Sequence, residues 1–115
     1  MSSRQHRLPK TQARVYDAML GLVPKIRAHY GDSQPDGTND FFVAEYKVRN
    51  TLPPLVKGAL RQARRYLLEG DSRIPIAILH EVGTAYTQDV VLIALSDFKR
   101  LLVRLQAEAY PQPRR

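Results

Sequence analysis

The 115-residue chain contains no cysteine and no tryptophan. Without a thiol it can form no disulfide framework, no zinc–thiolate centre and no cysteine nucleophile. No apolar run approaches the ~20 residues that a membrane-crossing helix requires. The opening residues, MSSRQHR, are polar and basic where a secretory leader is apolar, which sets the expectation of a cytoplasmic protein with no membrane partner. Acidic residues are also missing locally: from Lys47 to Arg65 there are six basic side chains and no Asp or Glu.

What remains has the composition of an ordinary globular protein, with 43% hydrophobic and 25% charged residues. The length suits one domain. The formal charge of +7 is concentrated at the ends, in Arg4, Arg7, Lys10, Arg114 and Arg115. Residues 11–113 carry 13 basic against 11 acidic groups, so the body is only +2. Basic ends plus one acid-free basic segment point to a polyanionic partner, nucleic acid ahead of a membrane surface. A solvated basic face with loose ends explains the same charge pattern equally well.

Residues 1–10 read as a basic arm, residues 11–107 as one domain and residues 108–115 as a basic, proline-containing tail. Thr11 is placed to cap a helix whose apolar positions are Val15, Ala18, Met19 and Leu22. Pro24 kinks or ends it. Beyond that point two courses stay open: Ile26 and Tyr30 continue the helix, or residues 23–29 turn extended. An extra strand between Ile26 and Gln34 also fits. Residues 31–40 (GDSQPDGTND) are turn chemistry throughout. Residues 41–48 (FFVAEYKV) read as a strand whose charges, Glu45 and Lys47, share one face.

Pro53 and Pro54 suit the first turn of a helix running to about Leu68, stopped at Glu69-Gly70-Asp71. Leu55, Val56, Ala59, Leu60, Ala63, Tyr66 and Leu67 form its apolar side; Lys57, Arg61, Arg64 and Arg65 form the other. Residues 74–80 (IPIAILH) and 90–94 (VVLIA) read as buried-type strands joined by a turn at Gly83. Ser96 is placed to cap a last helix facing inward with Phe98, Leu101, Leu102 and Leu105. The order predicts a mixed α/β domain with its sheet covered on both sides.

The chemistry concentrates in Pro35-Asp36 followed by Glu45-Tyr46-Lys47. Two carboxylates and an ammonium converge if Asp36 sits at the mouth of the strand that carries the other two. Mg²⁺ takes oxygen ligands, commonly one or two carboxylates with waters and substrate phosphate. Asp36, Glu45 and the Tyr46 carbonyl are candidates for that set. Lys47 would orient the attacking water or neutralise charge developing on phosphate. The plainer alternative is a Glu45–Lys47 salt bridge beside a turn aspartate. His80 ends a strand before Glu81, where a structural role outweighs a metal or general-base role.

The pattern of Asp36 with Glu45-Tyr46-Lys47 resembles the PD-(D/E)xK motif of the restriction-endonuclease-like superfamily. Downstream stretches carry the resemblance further: 49–55 (RNTLPPL), 59–63 (ALRQA), 74–81 (IPIAILHE) and 90–98 (VVLIALSDF). Together they are similar to small phage-type nucleases described as Holliday junction resolvase-like, over residues 35–102. The resemblance implies a restriction-endonuclease-like core of αβββαβ type, a mixed sheet flanked by helices. It implies Mg²⁺-dependent phosphodiester hydrolysis, with Mn²⁺ able to substitute, by a homodimer acting on branched DNA.

Under that resemblance Asp36 and Glu45 become metal ligands, Lys47 the catalytic lysine, and Gln62 a further residue of the site. Arg49, Lys57, Arg61, Arg64 and Arg65 would follow the DNA backbone. Two departures stand out. Relatives carry a Glu in the first helix where this chain has Gln12 and Asp17, and Tyr46 replaces a small or apolar residue. A catalytically inactive DNA-binding or assembly module on the same fold is the alternative. A small interaction protein without a nucleic-acid role leaves the motif unexplained.

Overall fold

The computed structural model describes residues 10–24 and 34–109. In chain order the elements are α1 (Lys10–Leu20), β1 (Val23–Pro24), β2 (Gly37–Thr38), β3 (Val43–Ala44), α2 (Pro54–Arg65), β4 (Ala77–Leu79), β5 (Val90–Leu92) and α3 (Leu95–Ala109). The architecture is mixed α/β, with one sheet ordered β1-β2-β3 and another β4-β5. In place of the expected mixed sheet, every described ladder is antiparallel. The links from β2 to β3 and from β4 to β5 are too short for the crossover that parallel pairing demands. None of the described helices is long and apolar enough to cross a membrane.

The chain divides into two compact units, Met1–Thr51 and Leu52–Arg115, within the span expected to form one domain. The expected arm falls on residues 1–9, outside the described residues, while Lys10 already belongs to α1. At the other end α3 runs to Ala109, one residue past the expected start of the tail, and residues 110–115 lie outside the described residues. The extra strand and the helix continuation through Ile26 and Tyr30 fall on residues 25–33, also outside them. Of the extended course expected over 23–29, only Val23–Pro24 is described, and it is extended.

In the first unit α1 starts one residue before Thr11, which is therefore helical and not the cap. It ends at Gly21, whose φ of +66° only glycine adopts without strain, and the Leu22 amide donates back to the Asp17 carbonyl at 2.8 Å. Pro24 is thus not the terminator; it sits in β1. Asp17 and Leu22 are buried, whereas Val15 and Ala18, expected inside, are exposed. The inward face has rotated because Asp17 finds a hydrogen-bond partner in the interior.

Asn39 joins this helix end to the β2–β3 turn. Its Nδ2 donates to the carbonyls of Leu20 and Gly21, each at 3.2 Å, two of the acceptors that a helix C-terminus leaves unpaired. Its Oδ1 accepts the amides of Phe41 and Phe42, both at 2.8 Å. An Asx-type turn therefore replaces the first half of the expected strand over 41–48. Only Val43 and Ala44 pair, opposite Thr38 and Gly37, and Phe41 stands 86% exposed.

In the second unit Pro53 and Pro54 begin α2 as expected, Pro54 occupying a first-turn position that needs no N–H. Val56, Ala59, Leu60 and Ala63 form a half-buried stripe, but Leu55 and Tyr66 are exposed. The helix stops at Arg65, before Tyr66 and Leu67 complete another turn. Asp71 organises the exit, accepting the amides of Leu68 at 3.1 Å and Arg73 at 3.0 Å and pairing with the Arg73 guanidinium at 2.5 Å. The Arg73 side chain and then those amides hold the Asp71 carboxyl below the usual carboxylate range.

The strands expected over 74–80 and 90–94 contract to β4 and β5, paired Ala77 to Leu92, Ile78 to Val91 and Leu79 to Val90. They are not buried-type: Ile78 and Val91 face each other across the ladder and both are exposed. The connection turns at Gly83 (φ +92°), as expected, then passes through a 3-10 turn at Tyr86–Gln88. Helix α3 begins at Leu95, so Ser96 lies in its first turn and does not cap it. Phe98, Leu101 and Leu102 are half-buried, while Leu105 is exposed.

Asp97, also in that first turn, is only 2% exposed and favourably placed for the helix dipole. Its Oδ2 accepts Nη2 of Arg64 from α2, and its Oδ1 accepts Nη1 of Arg100 at 2.6 Å. An isolated buried carboxylate is expensive; two guanidinium partners make this one tolerable and fasten α3 to α2. Asp97→Ala is expected to destabilise the second unit by about 1–3 kcal/mol, because two half-exposed cations lose the carboxylate that joins them. Urea unfolding of wild type and variant measures that difference.

Candidate active site

Asp36 precedes β2 and Glu45 follows β3. The ladder pairs Gly37 with Ala44, so one further step of the same register sets Asp36 opposite Glu45. Consistent with that placement, the Tyr46 amide donates to Asp36 Oδ2 at 2.7 Å. The turn aspartate therefore does sit against the segment that carries Glu45, Tyr46 and Lys47. Past β3 burial alternates by residue: Glu45, Lys47 and Arg49 are exposed, and Ala44, Tyr46 and Val48 are half-buried. The acid and the lysine thus share the outward face, as their spacing predicts.

The inward face is built on Tyr46. Its phenol donates to Asp17 Oδ1 on α1, and its ring meets Tyr16 edge-on with centroids 5.1 Å apart. Gly37 makes room for this contact. A Cβ there would collide with the Tyr46 hydroxyl and lie 2.9 Å from Asp17 Oδ1 and 3.1 Å from Leu22 Cδ1. Burial, donation to Asp17 and the negative charge of Asp17 and Asp36 together push the Tyr46 phenol well above its ordinary value. The phenol stays neutral and acts as a donor.

Among the described residues no group of three or more His, Asp or Glu side chains converges as a metal cage. The donor set nonetheless fits a hard cation: Asp36 and Glu45 are opposed carboxylates, one anchored by a backbone amide and the other exposed. Two carboxylates completed by water and substrate phosphate are what Mg²⁺ commonly uses. Asp17, the acid of the first helix, is engaged with Tyr46 and buried.

The other expected site residues belong to the second unit. Gln62, Lys57, Arg61 and Arg65 are exposed on α2. Arg64 differs from them, because its guanidinium is bound to Asp97. His80 does not turn to Glu81; its Nδ1 lies 2.6 Å from Asp89 Oδ1 and its ring stacks on Tyr86 at 4.5 Å. His80 and Asp89 are the next opposed pair beyond Leu79 and Val90, so the contact closes the end of the hairpin.

The raised Tyr46 phenol has a consequence for stability. A folded-state pKa above the unfolded value of about 10 contributes stability that is complete below pH 10. It disappears as the pH rises toward the folded value. The first unit is expected to weaken above about pH 10, and Tyr46→Phe to remove that alkaline dependence while lowering stability at neutral pH by about 1–3 kcal/mol. Thermal melts between neutral and alkaline pH check both parts.

Comparison with models of known families, with curated proteins and with solved structures finds no match.

Proposed function

We propose that this chain is a metal-dependent, structure-selective DNA endonuclease of the Holliday junction resolvase-like kind, using Mg²⁺ or Mn²⁺ and working as a cytoplasmic homodimer on branched DNA. The observation that carries the proposal is the seating of Asp36 against the Glu45–Lys47 segment, with Tyr46 N to Asp36 Oδ2 at 2.7 Å. Residues ten apart in sequence are thereby brought together as the PD-(D/E)xK-like pattern requires. The order of the first six elements, α1 to β4, also follows the αβββαβ succession of a restriction-endonuclease-like core.

In this proposal Asp36 and Glu45 hold the metal, with the Tyr46 carbonyl as a further oxygen. The metal, when bound, would polarise the scissile phosphate and make water more acidic. Asp36 is kept in place by the Tyr46 amide, so its carboxylate needs no reorganisation when substrate arrives. Lys47 presents its ammonium on the same side as Glu45, where it orients the attacking water and offsets charge developing on phosphate. Arg49 on this segment, and Lys57, Arg61, Arg64 and Arg65 on α2, contact backbone phosphates, which gives affinity without sequence preference. Gln62 lies among these cations on the exposed side of α2 and is assigned to the same substrate.

A second function is favoured by one feature: Asp17, the acid of the first helix, is occupied by Tyr46. In this second function the acid of the first helix is the missing part of the site, and the chain keeps the fold to bind branched DNA without cutting it.

Cleavage of a four-way junction in Mg²⁺ separates the two. Asp36→Asn and Glu45→Gln are each expected to abolish nicking with the fold intact, and wild-type rates at limiting Mg²⁺ would refute the metal assignment. Lys47→Ala is expected to slow turnover on the order of 10²–10³-fold while the protein still binds metal. Neutralising Lys57 and Arg61 to Gln is expected to lower the slope of log K against log salt by about 0.9 for each duplex phosphate that the variant no longer neutralises. A wild-type protein that binds junctions but never nicks them supports the inactive module.

A further inference from the structure

In the second unit two guanidinium groups share a single carboxylate, and a third joins one of them on a backbone carbonyl. Arg64 comes from α2, and Arg100 and Arg104 come from successive turns of α3. Asp97 receives Arg64 on one oxygen and Arg100 on the other, at 2.6 Å for the latter. Arg100 Nη2 then donates to the Ser72 carbonyl at 3.1 Å, and Arg104 Nη2 donates to the same carbonyl. The chain of contacts runs Arg64, Asp97, Arg100, Ser72, Arg104. One buried carboxylate pairs with two of the three cations and the third rests on a neutral carbonyl, so the cluster keeps a surplus of positive charge. The acid next to Ser72, Asp71, is already held by Arg73.

Each guanidinium carries five N–H donors, and these contacts use only one or two of them. The Arg64 and Arg100 side chains remain 52% and 42% exposed, and Arg104 is exposed too. Donors therefore stay open to solvent while the heads are held in place from beneath. That is the preorganisation an oxyanion with several oxygens exploits, and guanidinium forks match phosphate bidentately. Lys57, Arg61 and Arg65 stand exposed on the same helix as Arg64 and add long-range attraction for a polyanion.

We propose that Arg64, Arg100 and Arg104, gathered by Asp97 and the Ser72 carbonyl, form a binding site for phosphate oxygens. Arg64 thus acts as one member of a three-arginine cradle spanning α2 and α3, and Arg100 and Arg104 join the ligand-binding residues. Nucleic-acid backbone as the source of the phosphate rests on the DNA-binding function proposed above; the cradle itself does not.

The test uses the full chain with two probes: inorganic phosphate, followed by the arginine Nε–H resonances in NMR, and a four-way DNA junction, followed by anisotropy at fixed salt. Arg100→Gln and Arg104→Gln are expected to weaken binding by about five- to tenfold. Arg14→Gln, at an exposed position of α1, is expected to leave inorganic phosphate binding unchanged. Weakening with both probes, or with the junction alone, assigns backbone phosphate; weakening with inorganic phosphate alone assigns a free phosphate ligand. Two results overturn the proposal: no weakening with either probe, or an equal weakening of inorganic phosphate binding in Arg14→Gln, which marks unspecific charge. Among the described residues Arg104 bonds only a backbone carbonyl, so if Arg100→Gln fails to fold, Arg104→Gln decides alone, its folding checked by thermal melting. Both probes are read without added Mg²⁺, where binding is measured apart from cleavage, so a failure of the cleavage proposal remains distinguishable from a failure of this one.

Discussion

Each unit is organised about a carboxylate that has been taken out of water. Asp17 is 7% exposed in the first unit and Asp97 2% in the second. Such burial is unfavourable unless hydrogen bonds replace the solvent, and the neighbouring elements supply those bonds. Tyr46 reaches Asp17 from the segment after β3, while Arg64 and Arg100 reach Asp97 from α2 and α3. The direction of the carboxylate decides which face of its helix turns inward. That constraint sets the rotation of α1 and the attachment of α3.

Directed polar contacts matter here because full apolar burial is sparse. Among the described residues Leu22, at 6% exposure, makes up the buried hydrophobic core. The strands are two or three residues long and cannot by themselves fix a register over any distance. Side-chain bonds to backbone do that work instead. Asn39 ties the end of α1 to the β2–β3 turn, Asp36 holds the Tyr46 amide, Asp71 shapes the exit from α2, and Arg100 and Arg104 hold the Ser72 carbonyl. For function this has a direct bearing. Asp36 is kept beside the proposed metal site by a hydrogen bond to the very segment that carries its partner Glu45.

Local sequence determined the three helices, the turn at Gly83 and the sharing of one face by Glu45 and Lys47, whereas β2 (Gly37–Thr38) formed inside a stretch that reads as turn throughout. The helices, that turn and the shared face follow from short-range rules of periodicity, proline placement and alternation, which need no knowledge of what packs where. The Pro53-Pro54 helix start and the stripe of Val56, Ala59, Leu60 and Ala63 belong to the same class. Tertiary structure decided the rest. Val15 and Ala18 look like core by spacing but are exposed, because Asp17 takes the interior position through a phenol 29 residues away in sequence. Arg64 looks like its neighbours Arg61 and Arg65 on a helical wheel, and only the approach of α3 with Asp97 sets it apart. His80 and Asp89 meet only when β4 and β5 pair in one register and not another. Periodicity reports which side of an element is apolar. It carries no record of which distant group will satisfy a buried charge, and here those distant partners set the geometry.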